Sequence, residues 1–176
     1  MNAFYNSYIR PLFFSRRFYW TFVAIITAFV ISYTLPVLFP VIQVLLFIFV
    51  LFVLFDYGIL FFRSHVVSGN RVLPERFSNG DENRIRLSIH SQFPFKIQAS
   101  VIDELPEQFQ KRDFRIDLSL SPDEKHELDY TLRPTERGEY QFYNINVFVK
   151  SPLGLVVKRI IIPAERMVKV YPSYFA

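Results

Sequence analysis

From Phe18 to Phe55 the chain runs 38 residues without a charged side chain. A helix crosses a bilayer with about 20 apolar residues. This run is about twice that length and is interrupted near its middle by Pro36 and Pro40. It predicts a membrane α-helical hairpin with one span from about Phe18 to Leu35 and another from about Val37 to Phe55 or Phe62. At 1.5 Å per residue, a span of about 18 residues covers about 27 Å. Arg16, Arg17, Tyr19, Trp20 and Arg63 stand at the edges of the run and are expected to anchor it at the membrane–water interface. Asp56, at the far end of the second span, reads as a boundary residue within reach of interfacial water.

The arginines predict orientation. Arg10, Arg16 and Arg17 precede the run, Arg63, Arg71 and Arg76 follow it, and the connector Leu35–Pro40 carries no charge. Positive flanks stay in the cytoplasm, so both ends of the hairpin are expected there. Two other readings compete. Ser15-Arg16-Arg17-Phe18-Tyr19 is similar to a twin-arginine export signal, but the segment behind it is too long and apolar, and no small-x-small cleavage site follows. A single span with a re-entrant segment also accommodates the two prolines.

After the run the hydrophobic period changes to two. Ile85, Leu87 and Ile89 alternate with Arg84, Arg86 and Ser88, the pattern of a half-buried strand. The same alternation recurs at Ile97–Val101, Ile116–Leu120, Leu128–Leu132, Tyr140–Val149, Leu155–Ile162 and Val168–Val170. The phase slips near Tyr143–Asn144, which predicts a bulge in one long strand. Turn signals separate the runs, among them Asn79-Gly80-Asp81, Ser121-Pro122-Asp123 and Ser151-Pro152-Leu153-Gly154. The expectation is an all-β domain, an antiparallel Ig-like β-sandwich of about seven or eight strands. The organisation expected is a cytoplasmic flank over 1–17, a two-helix transmembrane hairpin over 18–62 and a soluble β-sandwich over 63–176.

Charge and composition exclude several functions. From Arg63 onward there are 17 Lys/Arg against 15 Asp/Glu, without the concentrated basic face a nucleic-acid binder needs. The chain has no cysteine, which removes disulfides, thiolate catalysis and Cys-ligated zinc. Asp117-Leu118-Ser119-Leu120-Ser121 spells the metal-binding D-x-S-x-S loop of von Willebrand A-type domains. Here it lies in a strand pattern, so a metal site is not expected. His65, His90 and His126 have no ligand spacing, and no serine sits in a nucleophile elbow. Asp103-Glu104 and Asp123-Glu124 read as solvated turn residues. No catalytic residue, metal or cofactor is assigned, and the chain is expected not to be an enzyme.

Arg133-Pro134-Thr135-Glu136-Arg137-Gly138-Glu139-Tyr140 is more specific. Gly138 permits a positive φ, Tyr140 begins the core face of a strand, and Arg133 and Arg137 are available for ion pairs. Arg133, Arg137, Gly138 and Tyr140 are therefore candidate residues for a structural corner or a docking surface.

This run, followed by Ser-Pro-Leu-Gly-Leu at 151–155 and Val-Tyr-Pro at 170–172, resembles the N-terminal half of the bacterial "domain of unknown function 58" family. The resemblance covers essentially the whole chain. It implies a membrane hairpin and a β-sandwich, with a von Willebrand A-like domain to follow and a MoxR-type AAA+ ATPase encoded nearby. The chain ends at Ala176, where that A-like domain would begin, so its metal ligands are not carried over to this sequence. The function implied is a non-enzymatic scaffold in the bacterial inner membrane, working with the ATPase in assembling envelope complexes. The alternative is a membrane-tethered sensory or ligand-binding sandwich, for which Tyr143 and Phe148 are the only exposed-phase aromatic hints.

Overall fold

The computed structural model describes residues 11–62, 67–110 and 114–172. Arg10, Arg63 and His65 of the preceding section lie outside these residues. The chain forms two compact units, Met1–Ser64 with Val149–Arg159, and His65–Phe148 with Ile160–Ala176.

In the first unit, strand β1 (Leu12–Phe14) leads into helix α1 (Arg16–Ser32), a short 3-10 turn (Pro36–Leu38) and helix α2 (Phe39–Phe61). Ser15 starts α1 from extended backbone, and its hydroxyl accepts from the Phe18 amide at 3.3 Å, which satisfies one of the helix's orphan N–H groups. Helix α1 therefore begins two residues before the expected Phe18 and includes both arginines. It also ends early, because Tyr33 and Thr34 close with tight bonds to Val30 and Ile31. Leu35 is then extended ahead of Pro36, since a residue before proline avoids helical backbone.

The 17 residues of α1 span about 26 Å. The stretch Pro36–Phe61 is 26 residues and, among the described residues, the one helix long and apolar enough to cross a membrane. Pro40 sits in its first turn, where the missing N–H costs nothing. Phe18 lies 5.5 Å from Phe49 and Phe29 lies 5.9 Å from Phe39, ring centre to ring centre, so α1 and α2 run antiparallel. Phe47, Leu54 and Phe55 of α2 remain exposed.

Ten further strands follow. These are β2 (Val67–Val72), β3 (Arg76–Ser78), β4 (Asn83–Ser91), β5 (Ile97–Asp103), β6 (Arg115–Leu120) and β7 (Lys125–Leu132). The remaining four are β8 (Gly138–Phe142), β9 (Ile145–Lys150), β10 (Val156–Ile162) and β11 (Arg166–Tyr171). The second unit is an all-β sandwich. One sheet is ordered β2-β4-β7 and a second β3-β11-β8, while β5 joins β6 and β9 in a third. Ile85, Leu87 and Ile89 are fully buried along β4, as their alternation requires. Phe77, Ile85, Leu132, Tyr140, Phe142 and Val168 share one core.

Three expectations change. The described strands number eleven, because β1, β2 and β3 are too short or too polar to show a period of two. The sandwich is not wholly antiparallel, since β3 pairs parallel with β11, Phe77 opposite Val170. Tyr140–Val149 is not one bulged strand. It breaks at Tyr143–Asn144 into β8 and β9, which belong to different sheets, so the slipped phase marks a switch of sheet.

Candidate functional site

The first unit contains a buried carboxylate. Asp56, on the last turns of α2, is inaccessible to solvent. One oxygen accepts from the Ser151 hydroxyl. The other accepts from the backbone N–H groups of Leu155 at 2.9 Å and Val156 at 2.8 Å. The turn Ser151–Leu155 that supplies these donors is itself tied down. The Gly154 amide donates to Ser151 Oγ at 3.0 Å, the Ser15 hydroxyl donates to the Gly154 carbonyl at 2.5 Å, and Arg17 Nη1 donates to the Leu153 carbonyl at 3.3 Å. Gly154 holds φ +68°, a left-handed value that side-chain-bearing residues avoid.

Strand β1 pairs with the first half of β10, Phe14 opposite Val156 and Leu12 opposite Lys158. Lys158 then donates from Nζ to the Leu60 carbonyl at 2.9 Å and lies 4.9 Å over the Phe61 ring. A cation at the C-terminal end of α2 complements the helix dipole, and burial lowers the Lys158 ammonium below its usual range. The boundary reading of Asp56 is thus corrected: it is not in contact with water, because a turn almost a hundred residues away encloses it.

In the second unit, Arg71 and Asp103 form a buried ion pair. Arg71 Nη2 also donates to the carbonyls of Tyr143 at 2.8 Å and Ala164 at 2.5 Å. Its guanidinium lies 4.8 Å over the Phe142 ring. The Tyr130 hydroxyl donates to the other Asp103 oxygen at 2.5 Å. Burial raises the Asp103 carboxyl above the usual carboxylate range, opposed by the Arg71 charge and the Tyr130 hydrogen bond. Burial likewise pushes the Tyr130 hydroxyl far above its ordinary value.

Asp103 and Glu104 were expected in solvated turns. Instead Asp103 ends β5 in the interior, and Glu104 accepts from Asn146 Nδ2 at 2.5 Å and the Asn144 amide at 3.3 Å. Arg71, which the sequence places among the flank charges, is buried in the folded sandwich.

The run 133–140 forms a corner. Tyr140 is buried in the core, and its hydroxyl donates to the Glu136 carbonyl at 3.0 Å. This is the geometry of the tyrosine corner of β-sandwiches. Gly138 holds φ +148°, and Arg133 and Arg137 are exposed beside it. Tyr140→Phe is expected to cost about 1 kcal/mol through the lost hydroxyl bond, read as a small fall in the thermal midpoint of the detergent-solubilised chain. An unchanged midpoint would show that the corner bond adds no stability.

Other sequence candidates are separate. Asp117, in β6, accepts from the Ser100 hydroxyl and from Arg115 Nε at 3.0 Å. His90 Nε2, in β4, lies 2.9 Å from Oδ1 of Asp123 in the turn before β7, a pair that linear spacing did not reveal. No cluster of three His, Cys, Asp or Glu able to hold a metal occurs among the described residues. Tyr143 is exposed, but β9 is largely buried on both faces, so Tyr143 and Phe148 form no open aromatic face.

The molecule is thus an all-β sandwich joined to a helical unit with one potential membrane-crossing helix. No protein-family model matches the chain, and no curated protein sequence matches it. Among solved structures it is similar to the CARDB domain of the PF1109 protein from Pyrococcus furiosus, at 16% identity over 61% of this chain and 94% of that one, with a TM-score of 0.44. It is also similar to the ASH/PapD-like domain of human CEP192, at 11% identity over 62% and 88%, with a TM-score of 0.45. Neither likeness assigns a function to this chain.

Proposed function

We propose that this chain is a membrane-anchored, non-enzymatic scaffold of the bacterial inner membrane. Both α1 and α2 cross the bilayer, and the sandwich faces the cytoplasm. Anchoring raises the sandwich's effective concentration for partners near the membrane. The partners proposed are those the sequence resemblance implies, a MoxR-type AAA+ ATPase and a von Willebrand A-like domain, met through the exposed Arg133 and Arg137.

The observation that carries this reading is α2. Its apolar side chains face outward, and its one carboxylate is fully engaged by a turn that continues directly into β10. Such a helix end is packed and hydrogen-bonded within the helical unit.

Two measurements test the proposal. In sealed inside-out vesicles the sandwich is expected to be digested by added protease, and in right-side-out vesicles it is expected to be protected. The reverse pattern would place it outside the cytoplasm. The full chain in detergent is expected to retain the MoxR-type ATPase on an affinity column, and Arg133→Glu with Arg137→Glu is expected to abolish retention. Retention unchanged by both substitutions would remove the docking role of these arginines.

A further inference from the structure

The protein's positive charge is concentrated in the helical unit. Residues 1–64 and 149–159 hold seven Lys/Arg (Arg10, Arg16, Arg17, Arg63, Lys150, Lys158, Arg159) against one acid, Asp56. The rest of the chain holds 13 against 15. That acid is buried and bonded to Ser151, Leu155 and Val156.

Arg16, Arg17 and Lys158 lie at one end of the helix pair, and the backbone of Arg159 is joined to the segment before α1. Arg16 and Arg17 open α1, and Arg17 reaches the 151–155 turn. Lys158 reaches the end of α2, and the Arg159 amide donates to the Pro11 carbonyl at 2.8 Å. Tyr19 and Trp20 are exposed within the first two turns of α1, and such rings favour the headgroup level. Helix formation does not account for the arginines. Cations in a first turn oppose the helix dipole, and no acidic residue balances them there.

We propose that this end of the helical unit is a basic collar that binds the headgroups of anionic phospholipids, with Arg16 and Arg17 at its centre. The inference rests on the reading of α2 as a membrane helix. Charge complementarity selects the occupant: a phosphodiester headgroup with net negative charge, at the depth where Tyr19 and Trp20 sit. A lysine or arginine near an anionic membrane surface is worth about a fivefold preference, so losing two cations should reduce selectivity by about an order of magnitude or more.

The test uses the full chain purified in detergent and titrated with phosphatidylglycerol, with phosphatidylcholine of the same acyl chains, and with inorganic phosphate, bound lipid being counted by native mass spectrometry. Phosphatidylglycerol is expected to bind at least tenfold more tightly than phosphatidylcholine, and inorganic phosphate is expected not to compete at millimolar concentration. Arg16→Gln with Arg17→Gln should remove most of the preference, while Arg133→Gln with Arg137→Gln should leave it intact. Arg16→Gln alone, which spares the Arg17 contact to Leu153, should give an intermediate preference and keeps the test valid if the double variant misfolds.

Equal affinity for the two lipids, or an unaltered preference in the Arg16 variants, would overturn the collar. Competition by inorganic phosphate would overturn it in favour of a soluble anion site. A chain that reconstitutes into phosphatidylglycerol vesicles and into phosphatidylcholine vesicles yet binds both lipids alike defeats the collar and leaves the membrane anchor standing. A chain that fails to partition into either vesicle defeats the anchor reading itself.

Discussion

Asp56→Ala is expected to be the most damaging single substitution in the helical unit. It removes the acceptor for one hydroxyl and two backbone N–H groups, of which the Ser151 hydroxyl and the Val156 amide are buried away from water. An unsatisfied buried donor costs about 1–3 kcal/mol, so two buried donors and a third half-buried one left without their acceptor cost about 3–5 kcal/mol in all. For a chain of this size that corresponds to a fall of about 10 °C in thermal midpoint, measured in detergent. Proteolysis at the 151–155 turn should accelerate in parallel. Asp56→Asn retains one carbonyl oxygen but points an amide donor at other donors, so it should recover only part of the loss. A midpoint for Asp56→Ala within 2 °C (about 1 kcal/mol) of the unsubstituted chain would show that the turn does not depend on the carboxylate.

Arg71→Met is the corresponding experiment in the sandwich. The side-chain volume is largely kept, so cavity formation contributes little. What is lost is the charge that faces Asp103 and two hydrogen bonds to the carbonyls of Tyr143 and Ala164. The expected loss is about 3–5 kcal/mol near neutral pH. Its pH dependence carries a definite sign. Burial already holds the folded Asp103 carboxyl above its unfolded value, and Arg71 opposes that shift. Without Arg71 the folded value rises further. A carboxyl with a raised folded value contributes stability below its unfolded value near 4 and loses it as pH rises through the folded value. The gap between the variant and the parent should therefore be widest at pH 7–8 and narrow as pH falls towards 5. A gap that widened on acidification would show that Asp103 does not titrate in this way.

The two sites differ from the features that local sequence reveals. The membrane-length run at 36–61 and the buried alternation of Ile85, Leu87 and Ile89 are patterns of neighbours, set by helix rise and strand pleat. Both could be read directly. The partners of Asp56 lie 95 to 100 positions away, in a Ser-Pro-Leu-Gly turn whose composition suits any exposed loop. Arg71 was equally opaque. Beside a membrane segment a lone arginine reads as a flank charge, and only the folded topology places Asp103 opposite it. The slipped phase at Tyr143–Asn144 was visible, but a bulge and a change of sheet both break the alternation. The tyrosine corner was more legible, because Gly138 and Tyr140 are close in sequence to the Glu136 carbonyl they help to position.

The long separation between Asp56 and its donors also sets an order of events during synthesis. The ribosome adds about 5–20 residues per second, so α2 is complete roughly 5–20 s before Val156 is made. For that interval the helix end exists without the turn that will enclose its carboxylate, and Asp56 must remain hydrated. On the proposed reading of α2 as a membrane helix, a hydrated charge near the end of an apolar helix would resist sliding deeper into hydrocarbon and would hold the helix at its depth while the sandwich is still being translated. Closure of the 151–156 turn then takes that side chain out of water. The aspartate would on that reading act twice, first as a float that sets the depth of the helix and later as the keystone over which the last part of the helical unit closes.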